Sequence, residues 1–238
     1  MRAEPVVKRD LRCDASVKDV IESCGVPHTE VDLIVVSALG DEAQRAVDFG
    51  WIVRAGVEIA VHAAPVPDEV LPGAARLQER GRTRFVADGH LGKLARNLRL
   101  LGFDTAWERD ADDRRLVEIM LVEDRALLTR DRRLLMRAVV MHGYCPRADD
   151  AETQAREVLR RFDLVRGTVM SDAFRRCLEC NGLLAAVPKE SVLEPLAAEP
   201  LTLRWYDAFL RCAGCGRIYW RGTHFEKLSA RVSRLRRA

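Results

Sequence analysis

The chain has 238 residues, 48% of them apolar, and a formal net charge of only +3, so it can bury a sizeable core and has room for more than one domain. No stretch approaches the ~20 apolar residues of a spanning helix, and Met1-Arg2-Ala3-Glu4-Pro5 lacks the basic start and apolar run of a secretory signal, which makes a cytoplasmic protein with no membrane contact the expectation. Charge is uneven: residues 1 to 80 sum to −5 and the remainder to +8, a bias that suits a polyanionic partner but reads equally as genomic composition, since only five of the 39 basic residues are lysine.

In chain order, residues 1 to 65 pattern as a small α+β unit. Val6 to Leu11 reads as a strand, Ser16 caps a helix over Val17 to Cys24, Gly25 ends it, and Val31 to Val36 and Val57 to His62 read as further strands. This order, with the run Ser16-Val17-Lys18-Asp19-Val20-Ile21-Glu22-Ser23-Cys24-Gly25-Val26-Pro27-His28, resembles a ubiquitin-like β-grasp domain of the sulfur-carrier type. Such carriers act through a free Gly-Gly end. Here the chain continues through His62-Ala63-Ala64-Pro65, so the resemblance implies a binding or scaffolding module with a protein partner rather than conjugation chemistry. Residues 66 to 83, punctuated by Pro67, Pro72, Gly73 and Gly81, read as a linker with one helical turn around Ala74 to Glu79.

Residues 84 to 165 alternate strand and helix patterns, the sign of an α/β layer architecture. Phe85-Val86-Ala87 is a strand ending at Asp88. Leu91, Leu94, Ala95, Leu98 and Leu101 then share one helical face, with Lys93, Arg96 and Arg99 repeating every third residue on another. Phe103 to Trp107 is the next strand. Asp112 or Asp113 caps a helix carrying Leu116, Ile119 and Met120, Ala126 to Thr129 is a strand running into Arg130 and Asp131, and Asp149 and Asp150 open a last helix over Ala151 to Phe162.

If the strands before Asp88 and Asp131 are parallel neighbours, their carboxyl ends bring both acids to one crevice, the usual place for chemistry in open α/β sheets. Isolated aspartates are mostly caps and turns, and Asp104 reads as a surface residue. Convergence of Asp88, Asp113 and Asp131, with Asp112, Asp149 or Asp150 as further candidates, points instead to a hydrated Mg²⁺ or Mn²⁺ held by oxygen ligands and activating water against a phosphodiester. Lys93, Arg96, Arg99 and Arg130 are the candidate RNA phosphate contacts, against the alternative of a solvated face, and His90 is either a substrate contact or structural.

The run Phe85-Val86-Ala87-Asp88-Gly89-His90-Leu91-Gly92-Lys93-Leu94-Ala95-Arg96-Asn97-Leu98-Arg99-Leu100-Leu101-Gly102-Phe103-Asp104, followed by Leu128-Thr129-Arg130-Asp131, resembles the Mut-seven C-terminal RNase domain over roughly residues 84 to 225. The resemblance implies a PIN-like three-layer fold with an embedded zinc ribbon and cleavage of RNA at an acidic Mg²⁺ or Mn²⁺ site. The motif positions fall on Asp88, Asp113 and Asp131. A preceding β-grasp module is a partner domain of the same family.

Residues 166 to 238 carry two C-x-x-C corners, Cys177-Leu178-Glu179-Cys180 and Cys212-Ala213-Gly214-Cys215, each with a glycine just beyond. Four soft ligands in two tight turns fit a structural tetrahedral Zn²⁺ better than a redox dithiol, and an all-cysteine set leaves no open position for catalysis. The corners lie further apart than the usual ~15–20 residues, so an insertion must separate them. Arg211, Arg217, Tyr219, Trp220 and Arg221 suit RNA, or Tyr219 and Trp220 are core. Tyr219-Trp220-Arg221-Gly222-Thr223-His224 resembles the family's tail, with His224 a functional candidate. Cys13, Cys24 and Cys145 read as reduced and buried. A final helix buries Phe225, Leu228, Val232 and Leu235 and shows Lys227, Arg231, Arg234, Arg236 and Arg237 outward. Two function classes follow: a metal-dependent ribonuclease, or a non-catalytic RNA- or protein-binding adaptor with the same fold and zinc. Oligomeric state is open at this stage.

Overall fold

The computed structural model describes residues 6–11, 13–164 and 173–236. The chain divides into two compact units, Met1–Gln78 and Glu79–Ala238.

In the first unit, β1 (Ala15–Ser16) leads into α1 (Val17–Ser23), followed by β2 (Val31–Ala38), β3 (Arg45–Val47), β4 (Ile52–Val53) and β5 (Val57–Ala63). Ser16 Oγ accepts from Asp19 N at 3.1 Å, Cys24 is the C-cap, and Gly25 at φ +82° closes the helix as its position requires. The sheet order is β3-β2-β5, all antiparallel, with β1 paired to β4. Val17, Ile21, Val31, Ile34 and Val53 form the core under α1, which is the grasp arrangement. Val6 to Leu11 forms no strand; Val6 is 86% exposed and finds no sheet partner among the described residues.

The segment after β5 is not helical around Ala74 to Glu79. It packs Val66, Val70, Leu71 and Ala74 on Leu33 and Val35, the sheet face away from α1. Asp32, fully buried, fixes it at both ends by accepting from Val66 N (2.9 Å) and Gln78 N (3.1 Å). A buried carboxylate is tolerable only with such partners.

The second unit begins with β6 (Arg84–Ala87), α2 (Gly92–Leu100), β7 (Asp104–Trp107), α3 (Asp113–Val122), β8 (Ala126–Leu128), α4 (Arg132–Leu135), β9 (Gly143–Tyr144) and α5 (Ala151–Arg161). The sheet runs β7-β6-β8-β9 with every pair parallel. Strand side chains alternate between two cores. Phe85, Ala87, Ala126 and Leu128 face α2 and α5 with Leu94, Leu98, Val158, Leu159 and Phe162. Val86 and Leu127 face the opposite layer with Leu116, Ile119, Met120, Leu134 and Leu135. Strands buried on both faces explain the unbroken apolar runs of the sequence, and the result is a three-layer α/β/α unit.

The rest of the unit holds β10 (Leu184–Val187), α6 (Pro200–Trp205), β11 (Phe209–Cys212), β12 (Ile218–Trp220) and α7 (Thr223–Arg236). β10, β11 and β12 form an antiparallel meander. The insertion between the cysteine corners is the β10 to α6 stretch, pinned by Val192, Leu196 and Phe209. Val232 and Leu235 bury α7 in the same core as α5, and Arg231 and Arg234 both reach Glu152 at 3.0 Å. Arg237 lies outside the described residues.

Candidate functional site

β6 is followed by a helix on one face of the sheet, whereas β7 and β8, its two neighbours, are followed by helices on the other. Chains diverging from adjacent strand ends leave a crevice between them, and Asp88 stands at the end of β6 with such a divergence on each side.

Thr129, fully buried at the end of β8, joins the two sides. Its hydroxyl donates to Asp88 Oδ2 at 2.7 Å, and its Oγ1 accepts from Asp131 N at 3.0 Å. The ladder extends one step further, with Asp88 N donating to Leu128 O at 2.9 Å. Asp131 Oδ1 caps α4 by accepting from Arg133 N (2.7 Å) and Leu134 N (3.2 Å). Asp88 and Asp131 are thus brought together through one side chain that sequence reading passed over; a threonine between an apolar strand and an Arg-Asp turn was the available signal.

Two glycines make the Asp88 turn possible by lacking a side chain. A Cβ on Gly89 would overlap the Arg109 carbonyl, and one on Gly92 would meet Trp107 Cζ2 at 2.6 Å. Trp107 Nε1 donates to Gly89 O at 3.1 Å, which fixes the turn against the end of β7.

The other acids stand apart from this pair. Asp113 opens α3 at the same end of the sheet, but its Oδ2 accepts from Arg137 at 2.6 Å. Asp112 is the N-cap of α3, accepting from Arg115 N at 2.8 Å, and Asp150 caps α5 in the same way with Thr153 N at 2.8 Å. Asp149 accepts from Arg130 at 3.1 Å. Among the described residues, no three acids bring ligand oxygens within 4.8 Å of one another; the cysteine cluster alone meets that criterion.

The basic residues are mostly committed. Arg96 pairs with Glu179, which also receives Arg217 at 3.6 Å. Arg99, expected as a phosphate contact, is only 2% exposed. It donates to Thr105 O (2.9 Å), Leu178 O (3.1 Å) and Glu179 O (2.6 Å), and burial lowers its pKa below the usual guanidinium value. Arg130 turns from the crevice to the carbonyls of Pro146, Arg147 and Ala148. Lys93, His90 and His224 are exposed.

Asp104, which reads as a surface residue in the sequence, is a half-buried hub at the opposite end of the sheet. Arg125 lies at 2.6 Å, Arg176 at 3.2 Å and Asn181 Nδ2 at 2.7 Å. Burial alone would raise this carboxyl; the hydrogen bonds from Arg125 and Asn181 outweigh it and hold the pKa below the ordinary value. Asn181 Oδ1 also accepts from Thr105 N at 3.0 Å. The first cysteine corner therefore covers the edge of β7 and belongs to the body of this unit.

Cys177, Cys180, Cys212 and Cys215 have all sulfurs within 4.8 Å of one another. The Cys180–Cys212 and Cys177–Cys215 separations are 3.3 and 3.7 Å, close to the edge of about 3.8 Å expected for tetrahedral sulfur ligands ~2.3 Å from zinc. The cluster is compatible with a structural zinc. Burial raises the Cys177 thiol, but backbone N–H groups of Cys180 and Glu179 and the Tyr219 hydroxyl at 3.1 Å pull it down to about 6. Cys180 is pushed up to about 12, first by burial.

In the second corner Gly216 has φ +74°, as a left-handed turn demands; in the first, Asn181 takes that role at φ +70°. Gly182 is needed for space instead, since a Cβ there would meet Cys212 Sγ at 2.8 Å. Tyr219 and Trp220 are half-buried, the former on Cys177 and the latter in the core of the insertion, so both are packing residues. Cys13 and Cys24 are exposed, unlike buried Cys145, and none of the three is in a disulfide.

A doubly wound parallel sheet with acids at its switch point and a four-cysteine ribbon docked on its edge defines the PIN-like class, here preceded by a β-grasp unit. The Mut7-C RNAse domain matches residues 83–232 and the Mut7-C ubiquitin domain residues 2–68. The chain belongs to the Mut7-C RNAse domain family. It is also 37% identical over 133 residues to a human protein named Exonuclease mut-7 homolog, a match covering 54% of this chain and 15% of that protein. Together these support a nuclease-type function. No solved structure matches the chain. No helix among the described residues is long and apolar enough to cross a membrane.

Proposed function

We propose that the chain is a metal-dependent ribonuclease that hydrolyses RNA phosphodiester bonds at Asp88 and Asp131, with Asp113 or Asp112 completing the acidic set. The observation that carries this reading is the Thr129 bridge, which holds two acids from separate strands in one crevice of a Mut7-C RNAse domain. Hard carboxylate oxygens without a cation between them repel, and they are the donor set Mg²⁺ or Mn²⁺ prefers. Such an ion, when bound, supplies charge stabilisation on the phosphate and a more acidic water.

Thr129 ties down Asp88 Oδ2, which leaves Oδ1 as the oxygen to offer a cation. Asp131 spends Oδ1 on α4 and offers Oδ2. Asp113 joins by releasing Arg137; both side chains are about half exposed (47% and 49%), and exposed ion pairs of this kind are worth no more than about 1 kcal/mol. Zn²⁺ on Cys177, Cys180, Cys212 and Cys215 has a structural role, and the β-grasp unit serves a protein partner.

Purified protein incubated with 5′- and 3′-labelled RNA and Mn²⁺ is expected to cleave, chelator to stop it, and Asp131→Asn to abolish cleavage while RNA still binds. Binding without any cleavage favours the adaptor reading, and cleavage surviving in Asp131→Asn removes Asp131 from the cutting site.

A further inference from the structure

The basic residues singled out in the sequence are largely spoken for: Arg96 by Glu179, Arg99 by three carbonyls, Arg130 by its own loop. Arg115 and Arg137 are likewise paired, with Glu108 at 2.9 Å and Asp113 at 2.6 Å. Arg109 is different. It is exposed, and among the described residues its guanidinium has no carboxylate or carbonyl partner. It lies over the Trp107 indole, 5.9 Å from the ring centroid.

Its place is set by the Asp88 turn. The Arg109 carbonyl fills the space where Gly89 would carry a Cβ, and Trp107 donates to the carbonyl of the same glycine. The residue after Asp88, the indole and Arg109 are therefore one contact group at the lip of the crevice. A cation held over an aromatic face keeps its in-plane N–H donors free, and a guanidinium matches two phosphate oxygens at once.

We propose that Arg109, seated on Trp107, is a substrate-binding residue that grips the RNA phosphate next to the one cleaved at Asp88, which rests on the ribonuclease reading above. An aromatic surface with a guanidinium on it also accepts an unpaired base by stacking, so single-stranded RNA is the favoured substrate. The contact is to backbone and carries no sequence preference.

The test is fluorescence anisotropy of a labelled unstructured RNA oligomer on zinc-loaded full chain, with Ca²⁺ in place of Mn²⁺, across a salt series. Arg109→Ala is expected to weaken binding about tenfold and to lower the salt slope by about one. Arg204→Ala, which removes equal charge from α6, should leave both unchanged. Arg109→Gln and a melting curve separate lost contact from lost fold. Equal affinity for Arg109→Ala and wild type, or equal losses in Arg109→Ala and Arg204→Ala, overturns the proposal. If wild type still cleaves RNA in Mn²⁺ in that case, the ribonuclease reading stands without it; no binding and no cleavage by wild type overturns both.

Discussion

Arg99 gives the clearest separation of a structural from a ligand role. Arg99→Ala removes one buried guanidinium and leaves the carbonyls of Thr105, Leu178 and Glu179 without their donor. At about 1 kcal/mol for each lost bond to a partly satisfied carbonyl, the variant should be about 3 kcal/mol less stable. For a unit of this size that corresponds to a Tm lower by roughly 6–12 °C. Because Leu178 and Glu179 lie between Cys177 and Cys180, zinc retention should fall with it. Differential scanning calorimetry of zinc-loaded protein, paired with metal analysis after dialysis, reads both quantities. Arg99→Lys, which keeps charge but not the three-way geometry, should recover only part. A change under about 1 °C together with weakened RNA binding would refute this reasoning and return Arg99 to the phosphate contacts.

Further outcomes follow from the same geometry. Thr129→Val keeps the volume but frees Asp88 from its anchor and leaves Asp131 N without its acceptor, so kcat on RNA should fall at least about tenfold, against a stability cost of about 2 kcal/mol for the two lost hydrogen bonds; unchanged turnover would remove Thr129 from the site. Asp104 has a folded pKa below its unfolded value near 3.9, so its stabilisation is complete above that pH and is lost as pH falls through the folded value. Asp104→Asn should therefore cost stability at neutral pH and show a flatter loss below about pH 4 in melts taken across pH; parallel acid limbs for both proteins would contradict it. Gly182→Ala should weaken zinc retention, since the added carbon meets Cys212 Sγ at 2.8 Å, more than Gly216→Ala, which meets nothing and bears only the strain of φ +74°, typically about 1 kcal/mol.

Much of the three-layer α/β/α body was legible because its physics is local. Parallel strands buried on both faces write continuous apolar runs such as Phe85-Val86-Ala87 and Ala126-Leu127-Leu128, and the Asp112 and Asp150 caps sit at the starts of periodic helices. Arg99 misled for a geometric reason. Steps of three residues drift about 60° backwards each time on a helix, so Arg99 has swung some 120° from Lys93 and into the body. Asp104 was illegible because its partners, Arg125, Arg176 and Asn181, come from distant segments. Val6 to Leu11 reads as a strand by its flanking apolar residues but has no sheet partner among the described residues, and pattern cannot supply one. The cysteine corners announced their cluster, while the docking of the first corner on β7 depended on Asn181, a residue whose type alone suggests only a turn.

Whether Asp88 and Asp131 hold a hard dication is tested most directly by Mn²⁺ binding to zinc-loaded protein, followed by electron paramagnetic resonance of free Mn²⁺. Wild type is expected to take up Mn²⁺ at the crevice and both Asp88→Asn and Asp131→Asn to lose that uptake with their melting curves preserved. Equal Mn²⁺ uptake by all three proteins, or none by wild type, would contradict a metal site between these two acids.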